Sequence, residues 1–306
     1  MTKIFIDGSA GTTGLRIRER LEGRPGLDIL TLPEELRKDV EARRVALNSA
    51  DIAFLCLPDA AAREAVTLVD NPDTVIIDTS TAHRTADGWT YGFPELTGDD
   101  TIKKAKRIAN PGCHASGFVA LVAPLVRAGL IDKGLKLTCF SLTGYSGGGK
   151  PMIADYQAEE RDPLLGAPRQ YGLAQTHKHL PEMAKVCGLD NDPIFCPIVG
   201  DFYSGMEVSV PLFGSDLKGT MEDVKNAYRA TYTGKLVTFC EDASEGGFLS
   251  AAALSGKDTM QLTVTGNEDR ILLTARFDNL GKGASGAAIQ NMNILLGCDE
   301  TAGLEI

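Results

Sequence analysis

The chain has 306 residues, 43% of them hydrophobic and 24% charged, and carries a formal net charge of −10. That length suffices for one large domain or two, with a full apolar core, and the acidic balance argues against a general binder of nucleic acid or of anionic membranes. A small anionic substrate stays open, because a few local basic groups can outweigh the global field.

The opening MTKIFIDG carries neither the basic nor the long apolar region of a secretion signal. No apolar run approaches the roughly 20 residues that span a bilayer. The seven cysteines (Cys56, Cys113, Cys139, Cys187, Cys196, Cys240 and Cys298) are odd in number, widely spaced and form no CxxC pair. This speaks against a disulfide framework or a structural zinc site, so no metal and a reducing cytoplasm are expected.

In chain order, KIFIDG (3–8) reads as a buried strand, followed by a glycine loop and an amphipathic helix, LRIRERLEG (15–23), ended by Gly23. LDILTL (27–32) is a second strand that Pro33 breaks, and ELRKDVEARRVALNSA is helical in composition. DIAFLCLP (51–58), a helix around 60–70 and TVIIDTS (74–80) continue the rhythm. Near-continuous apolar strands alternating with helices predict a doubly wound parallel sheet covered on both faces, a dinucleotide-binding layout. After Cys113 the texture changes. GFVALVAPLVRAGL (117–130) reads as a buried helix, and then strands dominate, with one clear helix at 220–232 and a hairpin of 260–266 with 270–277. A separate α+β domain with a mixed, mostly antiparallel sheet is expected there. GASGAAIQNMNILLG (283–297) is helical again and is expected to return to the first domain. The boundaries so drawn are 1–112 with 280–306 for the dinucleotide-binding domain and 113–279 for a catalytic and oligomerisation domain. The stretch 144–181, rich in Gly, Pro, Tyr and charge, is too polar for core and is expected to line a site.

GSAGTTG sets Gly8, Gly11 and Gly14 between a strand and a helix. Backbone N–H groups at such a helix start face a pyrophosphate, and Ser9, Thr12 and Thr13 lie in the same loop. A tight turn without ligand is the alternative; the spacing is G-x-x-G-x-x-G, so the strand–loop–helix context carries the argument. No acid stands at the tip of the second strand, Thr31-Leu32-Pro33, to grip a ribose hydroxyl, which tilts the expected cofactor to NADP rather than NAD. Glu34 and Glu35 would repel a 2′-phosphate, whereas Arg37 and Lys38 would bind one.

NPGCHASGF (110–118) places Cys113 at the mouth of a helix, where the dipole favours the thiolate. The small residues behind it leave room for a substrate carbonyl, and local N–H groups could hold its oxyanion. A helix cap that happens to contain Cys is the plain alternative. Of four histidines, His177 and His179 stand together in THKHLPEM with Glu182 behind them. If that stretch is extended they share one face, as a metal pair or a base and its helper would, and a structural histidine pair is the plain alternative. Arg84, after DTSTAH, sits at the strand edge that carries ligands in such sheets and can meet an anion bidentately. TGYSGGGK offers backbone amides around Ser146, Gly147 and Gly148, with Lys150. DNLGKGASG, holding Asn279, Gly281 and Gly283, leads into the last helix and could touch the nicotinamide end of a cofactor, with a plain helix entry as the alternative. Arg161, Arg169 and Tyr171 lie in the polar stretch without individual assignment.

Taken together, FIDGSAGTTGLRIRERL, SLTGYSGGGK, NPGC, HKHLPE and NLGKGASGAAIQNMN, with DTSTAHR and YGFPEL, resemble the N-acetyl-γ-glutamyl-phosphate reductase family in its shorter form, related to aspartate-semialdehyde dehydrogenase. The resemblance runs from Ile4 to about Leu295. It implies a cytoplasmic, homo-oligomeric (dimeric or tetrameric) enzyme of arginine biosynthesis that uses NADPH and a cysteine thioester. It further implies Cys113 as nucleophile, His179 rather than His177 as acid–base, and Arg84, His177, Glu182 and Ser146 at the substrate. The cofactor falls on the glycine loop, Ser80, Gly147, Gly148, Asn279, Gly281 and Gly283. His114 and Ala115 stand where relatives have aromatic and proline residues, and His83 replaces an aromatic. Outside this family, a reductase of another acyl phosphate such as aspartyl phosphate, a cysteine hydrolase and a nucleotide-sensing binding protein remain as alternatives.

Overall fold

The computed structural model describes residues 1–306. The chain opens with β1 (Thr2–Asp7), α1 (Thr12–Leu21), β2 (Leu27–Leu30), α2 (Val40–Ser49), β3 (Ile52–Leu55), α3 (Asp59–Thr67) and β4 (Val75–Asp78). Then follow β5 (Thr90–Tyr91), α4 (Pro94–Thr97), α5 (Asp99–Lys104) and β6 (Arg107–Ala109). All six strands pair in parallel, in the order β2-β1-β3-β4-β6-β5.

Side-chain alternation explains the two covered faces. Ile4, Ile6, Ile52, Phe54 and Ile77 join one apolar cluster with Ile17, Leu21 and Ile102 of α1 and α5. Their neighbours Phe5, Ala53, Leu55 and Ile76 join another with Ala46, Leu47 and Ala65 of α2 and α3. The central residues of these strands are therefore apolar on both faces. Burying such strands on both sides removes the largest apolar area from water that their length allows.

The second unit begins with α6 (Cys113–Arg127), β7 (Thr138–Gly144), α7 (Gly149–Gln157), β8 (Arg169–Gln170), α8 (Leu180–Cys187) and β9 (Ile194–Gly200). It continues with β10 (Met206–Phe213), α9 (Met221–Thr231), β11 (Val237–Phe239), β12 (Met260–Gly266) and β13 (Arg270–Phe277). Seven strands form a mixed sheet in the order β11-β12-β13-β10-β7-β9-β8, and only β11–β12 and β7–β9 pair in parallel. α6 lies across β10 and β13, with α8 and α9 beside it. Tyr228 and Tyr232 of the α9 end tie to α6, donating to the carbonyls of Leu121 and Ala120. The chain then returns to the first unit through α10 (Gly286–Leu295), whose Ala288, Ile289 and Met292 complete the first apolar cluster.

The units comprise residues 1–112 with 284–304, and residues 113–283 with 305–306. Residues 280–283 thus belong to the second unit rather than the first, because Gly281 packs against the Lys257 carbonyl, which an added Cβ would meet at 2.1 Å. Glu305 joins them, its carbonyl accepting the Asp258 N–H and its own N–H donating to the Asp258 carboxylate. α6 starts at Cys113, four residues before the sequence-based expectation; its mid-helix glycine is accepted for packing reasons given below. The polar stretch 144–181 holds α7 and contributes to a small apolar cluster, Tyr156 and Leu165 packed with Val199 of β9 and flanked by Tyr145, Met152 and Tyr171.

Candidate active site

The first unit supplies a nucleotide cradle. β1 ends in Asp7, and Gly8 turns the chain with φ +88° while its Cα lies against the Cys56 carbonyl, 2.3 Å from where a Cβ would stand. Gly14 lets α1 sit on the loop, since a Cβ there would meet the Gly8 carbonyl at 2.4 Å. Gly11 is the N-cap of α1 and has no such crowding, so the middle glycine is the one left open to a ligand. Ser9 lines a cavity of about 540 Å³, with Thr12 and Thr13 opening the helix beside it. The other walls include Asp7, Arg18, Thr31, Leu32, Glu34, Glu35, Arg37 and Lys38. A helix start facing a cavity of that size beyond the end of β1 fits a dinucleotide's pyrophosphate and ribose. Asp7 is braced from behind by buried Arg43, whose Nε and Nη2 donate at 3.1 and 3.0 Å and whose Nη1 reaches Glu64 at 2.9 Å.

At the end of β4, buried Asp78 organises the loop that carries Ser80 and Arg84. It accepts from the Ser80 N–H at 2.9 Å and hydroxyl at 2.8 Å, and lies 2.6 Å from His83 Nδ1. His83 stacks on Trp89 at 4.1 Å. Arg84 donates to the carbonyls of Asn110 and Thr79, joining the ends of β4 and β6.

The second unit carries the thiol. Cys113 is half-buried at the positive end of the α6 dipole, where an anion is favoured. Ala115, Ser116 and Gly117 behind it are fully buried. The small residues therefore do not make room for a substrate: a Cβ on Gly117 would lie 2.5 Å from Val208, so they let α6 settle on the sheet. The loop after β13 reaches the thiol, because a Cβ on Gly283 would stand 3.1 Å from that of Cys113. In the same loop Asn279 donates to Ser146 Oγ at 3.0 Å and accepts from the Gly205 N–H at 3.0 Å, locking the TGYSGGGK turn to it. Gly147 and Gly148 lie exposed in that turn.

The histidines converge on the residue after the thiol. His114 lies 5.9 Å from His177 and 5.6 Å from His179, centroid to centroid, and those two are 4.8 Å apart. The HKH segment is not extended. It folds into the start of α8, with His179 as N-cap and Glu182 buried in the first turn, and the rings meet because the chain turns there. His177 Nδ1 accepts the His179 N–H at 3.2 Å, and burial holds its pKa below the usual range, so its Nε2 carries the proton. Burial pushes His114 down further, to about 3. Its Nδ1 is 2.6 Å from Ser141 Oγ and its Nε2 2.7 Å from the Tyr171 hydroxyl. Of the polar-stretch candidates, Arg161 is engaged bidentately by Asp201 and Arg169 by Tyr156, leaving Tyr171 at the cluster. His114 and Ser141 escaped assignment because nothing near either one in the chain hints at the other.

A parallel nucleotide-binding unit joined to a mixed-sheet unit that holds a thiol at a helix start defines a class, and the comparisons agree. Residues 3–105 match the semialdehyde dehydrogenase NAD binding domain, and residues 113–279 the semialdehyde dehydrogenase dimerisation domain. The solved aspartate semialdehyde dehydrogenase II of Vibrio cholerae shares the fold at TM-score 0.72 and 16% identity, over 97% of this chain and 98% of that one. The enzyme from Francisella tularensis does so at TM-score 0.72 and 14% identity, over 97% and 100%. Nearer in sequence is an N-acetyl-γ-glutamyl-phosphate reductase of Rhizobium leguminosarum bv. trifolii, 48% identical over 96% of this chain and 98% of the relative. The N-acetyl-γ-glutamyl-phosphate reductase 2 of a Nostoc species is 44% identical over 99% of both. The chain belongs to the semialdehyde dehydrogenase family and, within it, to the N-acetyl-γ-glutamyl-phosphate reductases.

Proposed function

We propose that this chain reduces N-acetyl-γ-glutamyl phosphate to N-acetylglutamate 5-semialdehyde with release of phosphate, as a step of arginine biosynthesis in the cytoplasm. The observation that carries the reading is Cys113 at the start of α6, against the Gly283 loop and one residue from a ring of histidines. As the sulfur attacks the acyl carbon and the bond to phosphate breaks, the thiol proton passes through His179 to the departing phosphate, leaving a thioester on Cys113. A nicotinamide dinucleotide would be held at Gly8, Ser9, Gly11, Thr12 and Thr13, and would supply the hydride that reduces the thioester. His179, reprotonated from solvent, then returns a proton to sulfur as the carbon–sulfur bond breaks and the aldehyde leaves. Arg84 is assigned to the phosphoryl group, and His177, Glu182 and Ser146 to shaping the substrate end.

The cofactor is assigned as NADP. Arg18, Arg37 and Lys38 line the cradle, and Thr31 and Leu32 directly after β2 carry no carboxylate to hold a ribose diol, while Glu34 and Glu35 stand further along the same wall. The oligomer is assigned to the open face of the second sheet. Helices cover one face, and the other shows Phe140, Ile194 and Phe213, 46%, 59% and 65% exposed. Side chains of that size in one layer suit a second copy of the chain.

The test is phosphate-dependent reduction of NADP⁺ by N-acetylglutamate semialdehyde, beside aspartate semialdehyde and beside NAD⁺. Preference for the first pairing is expected. Cys113→Ser is expected to lower turnover on the order of 10⁴-fold; near-normal turnover removes the nucleophile, and preference for aspartate semialdehyde removes the substrate.

A further inference from the structure

The cluster beside the thiol contains a chain of three hydrogen-bonding side chains whose direction is decided by burial. Ser141 Oγ, His114 and the Tyr171 hydroxyl are linked in line through Nδ1 and Nε2, at 2.6 and 2.7 Å. His114 is 4% exposed and neutral at any working pH, so one ring nitrogen donates and the other accepts. Two directions are possible. In one, Tyr171 donates to Nε2 and Nδ1–H donates to Ser141. The Ser141 hydroxyl hydrogen, on a fully buried strand residue whose side chain makes no other hydrogen bond, is then left without an acceptor. In the other, Ser141 donates to Nδ1 and Nε2–H donates to the Tyr171 oxygen. The surplus hydrogen then falls on Tyr171, the one member of the three that is only half-buried. A buried donor without a partner is costly and one facing a wet or substrate-filled site is not, so the second direction holds. Tyr171 lies within electrostatic reach of Cys113, and burial together with that sulfur's charge raises its phenol, keeping the hydroxyl hydrogen in place.

We propose that Ser141 and His114 are positioning residues that turn the Tyr171 hydroxyl hydrogen toward the acyl group on Cys113, where it donates to the carbonyl oxygen as negative charge develops there. No proton leaves Tyr171 in this role; the hydroxyl acts as an oriented dipole, a kind of stabilisation that is strongest where water is excluded. His114 serves because neutral imidazole both accepts and donates along one line, which an aromatic hydrocarbon in its place does not. The inference rests on the thioester reading above.

A double-mutant cycle tests it, using the whole enzyme with N-acetylglutamate semialdehyde, phosphate and NADP⁺. Tyr171→Phe is expected to lower kcat on the order of 100-fold with KM for the aldehyde little changed. His114→Phe is expected to cost a similar factor in the native background and almost nothing in the Tyr171→Phe background, because both remove the same oriented hydrogen. His114→Gln, whose amide accepts from Ser141 and donates to Tyr171, is expected to recover most of the loss. Full kcat in Tyr171→Phe, or an equal penalty for His114→Phe in both backgrounds, overturns the inference. Should His114→Phe not fold, Tyr171→Phe and His114→Gln still decide the matter. An inactive native enzyme, or an active Cys113→Ser, instead marks failure of the thioester reading.

Discussion

His114 shows how a single side chain ties stability to acidity. Its imidazole titrates near 3 in the folded chain because it is buried, whereas the unfolded chain exposes an ordinary histidine. Between about pH 6.5 and 3 the unfolded state therefore binds a proton that the folded state refuses. Stability falls as pH falls through this window, by up to roughly 1.4 kcal/mol per pH unit from this residue. His177 is displaced in the same direction, by burial and then by Lys178. Urea midpoints of the native chain are expected to drop more steeply from pH 7 to 5 than those of His114→Phe. Parallel slopes would assign the acid sensitivity elsewhere. Cys113, His177 and His179 were legible as residues because rare types stood in short motifs. The Ser141–His114–Tyr171 chain was not, since its members stand 27 and 57 residues apart and meet only after α6, β7 and β8 are placed.

Among the elements, α6 depends most on one position. Alanine in place of Gly117 gains roughly 0.5–1 kcal/mol of helix propensity. The added methyl, 2.5 Å from Val208, costs about 1–3 kcal/mol in overpacking, so the clash wins. Gly117→Ala is expected to lower the unfolding free energy in denaturant and, by lifting the helix start, to slow alkylation of Cys113. A more stable variant would show that α6 has slack against β10. The β12–β13 hairpin was readable to the residue because its partners are adjacent in sequence and three residues, Asn267, Glu268 and Asp269, turn the chain. β5 and β6, of two and three residues, carry no period long enough to read and exist only because β4 offers β6 an edge in parallel register and β6 in turn offers one to β5.

For the whole molecule, self-association is the property that most needs a second copy. Phe140 lies opposite Ser209 in the β7–β10 register, which puts it on the same face as Phe213. Phe140→Asp combined with Phe213→Asp is expected to lower the mass seen by light scattering while near-ultraviolet circular dichroism stays native. Unchanged mass would place the second copy elsewhere. The alternation of apolar strands and helices, the glycine loop at the first turn and the thiol after a Pro-Gly pair are local patterns, and local sterics and hydrogen bonding suffice to express them. From these the sequence by itself determined the parallel nucleotide-binding unit and the mixed second sheet. Only the tertiary structure decided that the small residues behind Cys113 serve packing and that the loop 280–283 belongs with the thiol. It alone, too, brought a serine, a histidine and a tyrosine into one line. Those outcomes depend on which distant surfaces compete for the same buried space, and no stretch of chain carries that information alone.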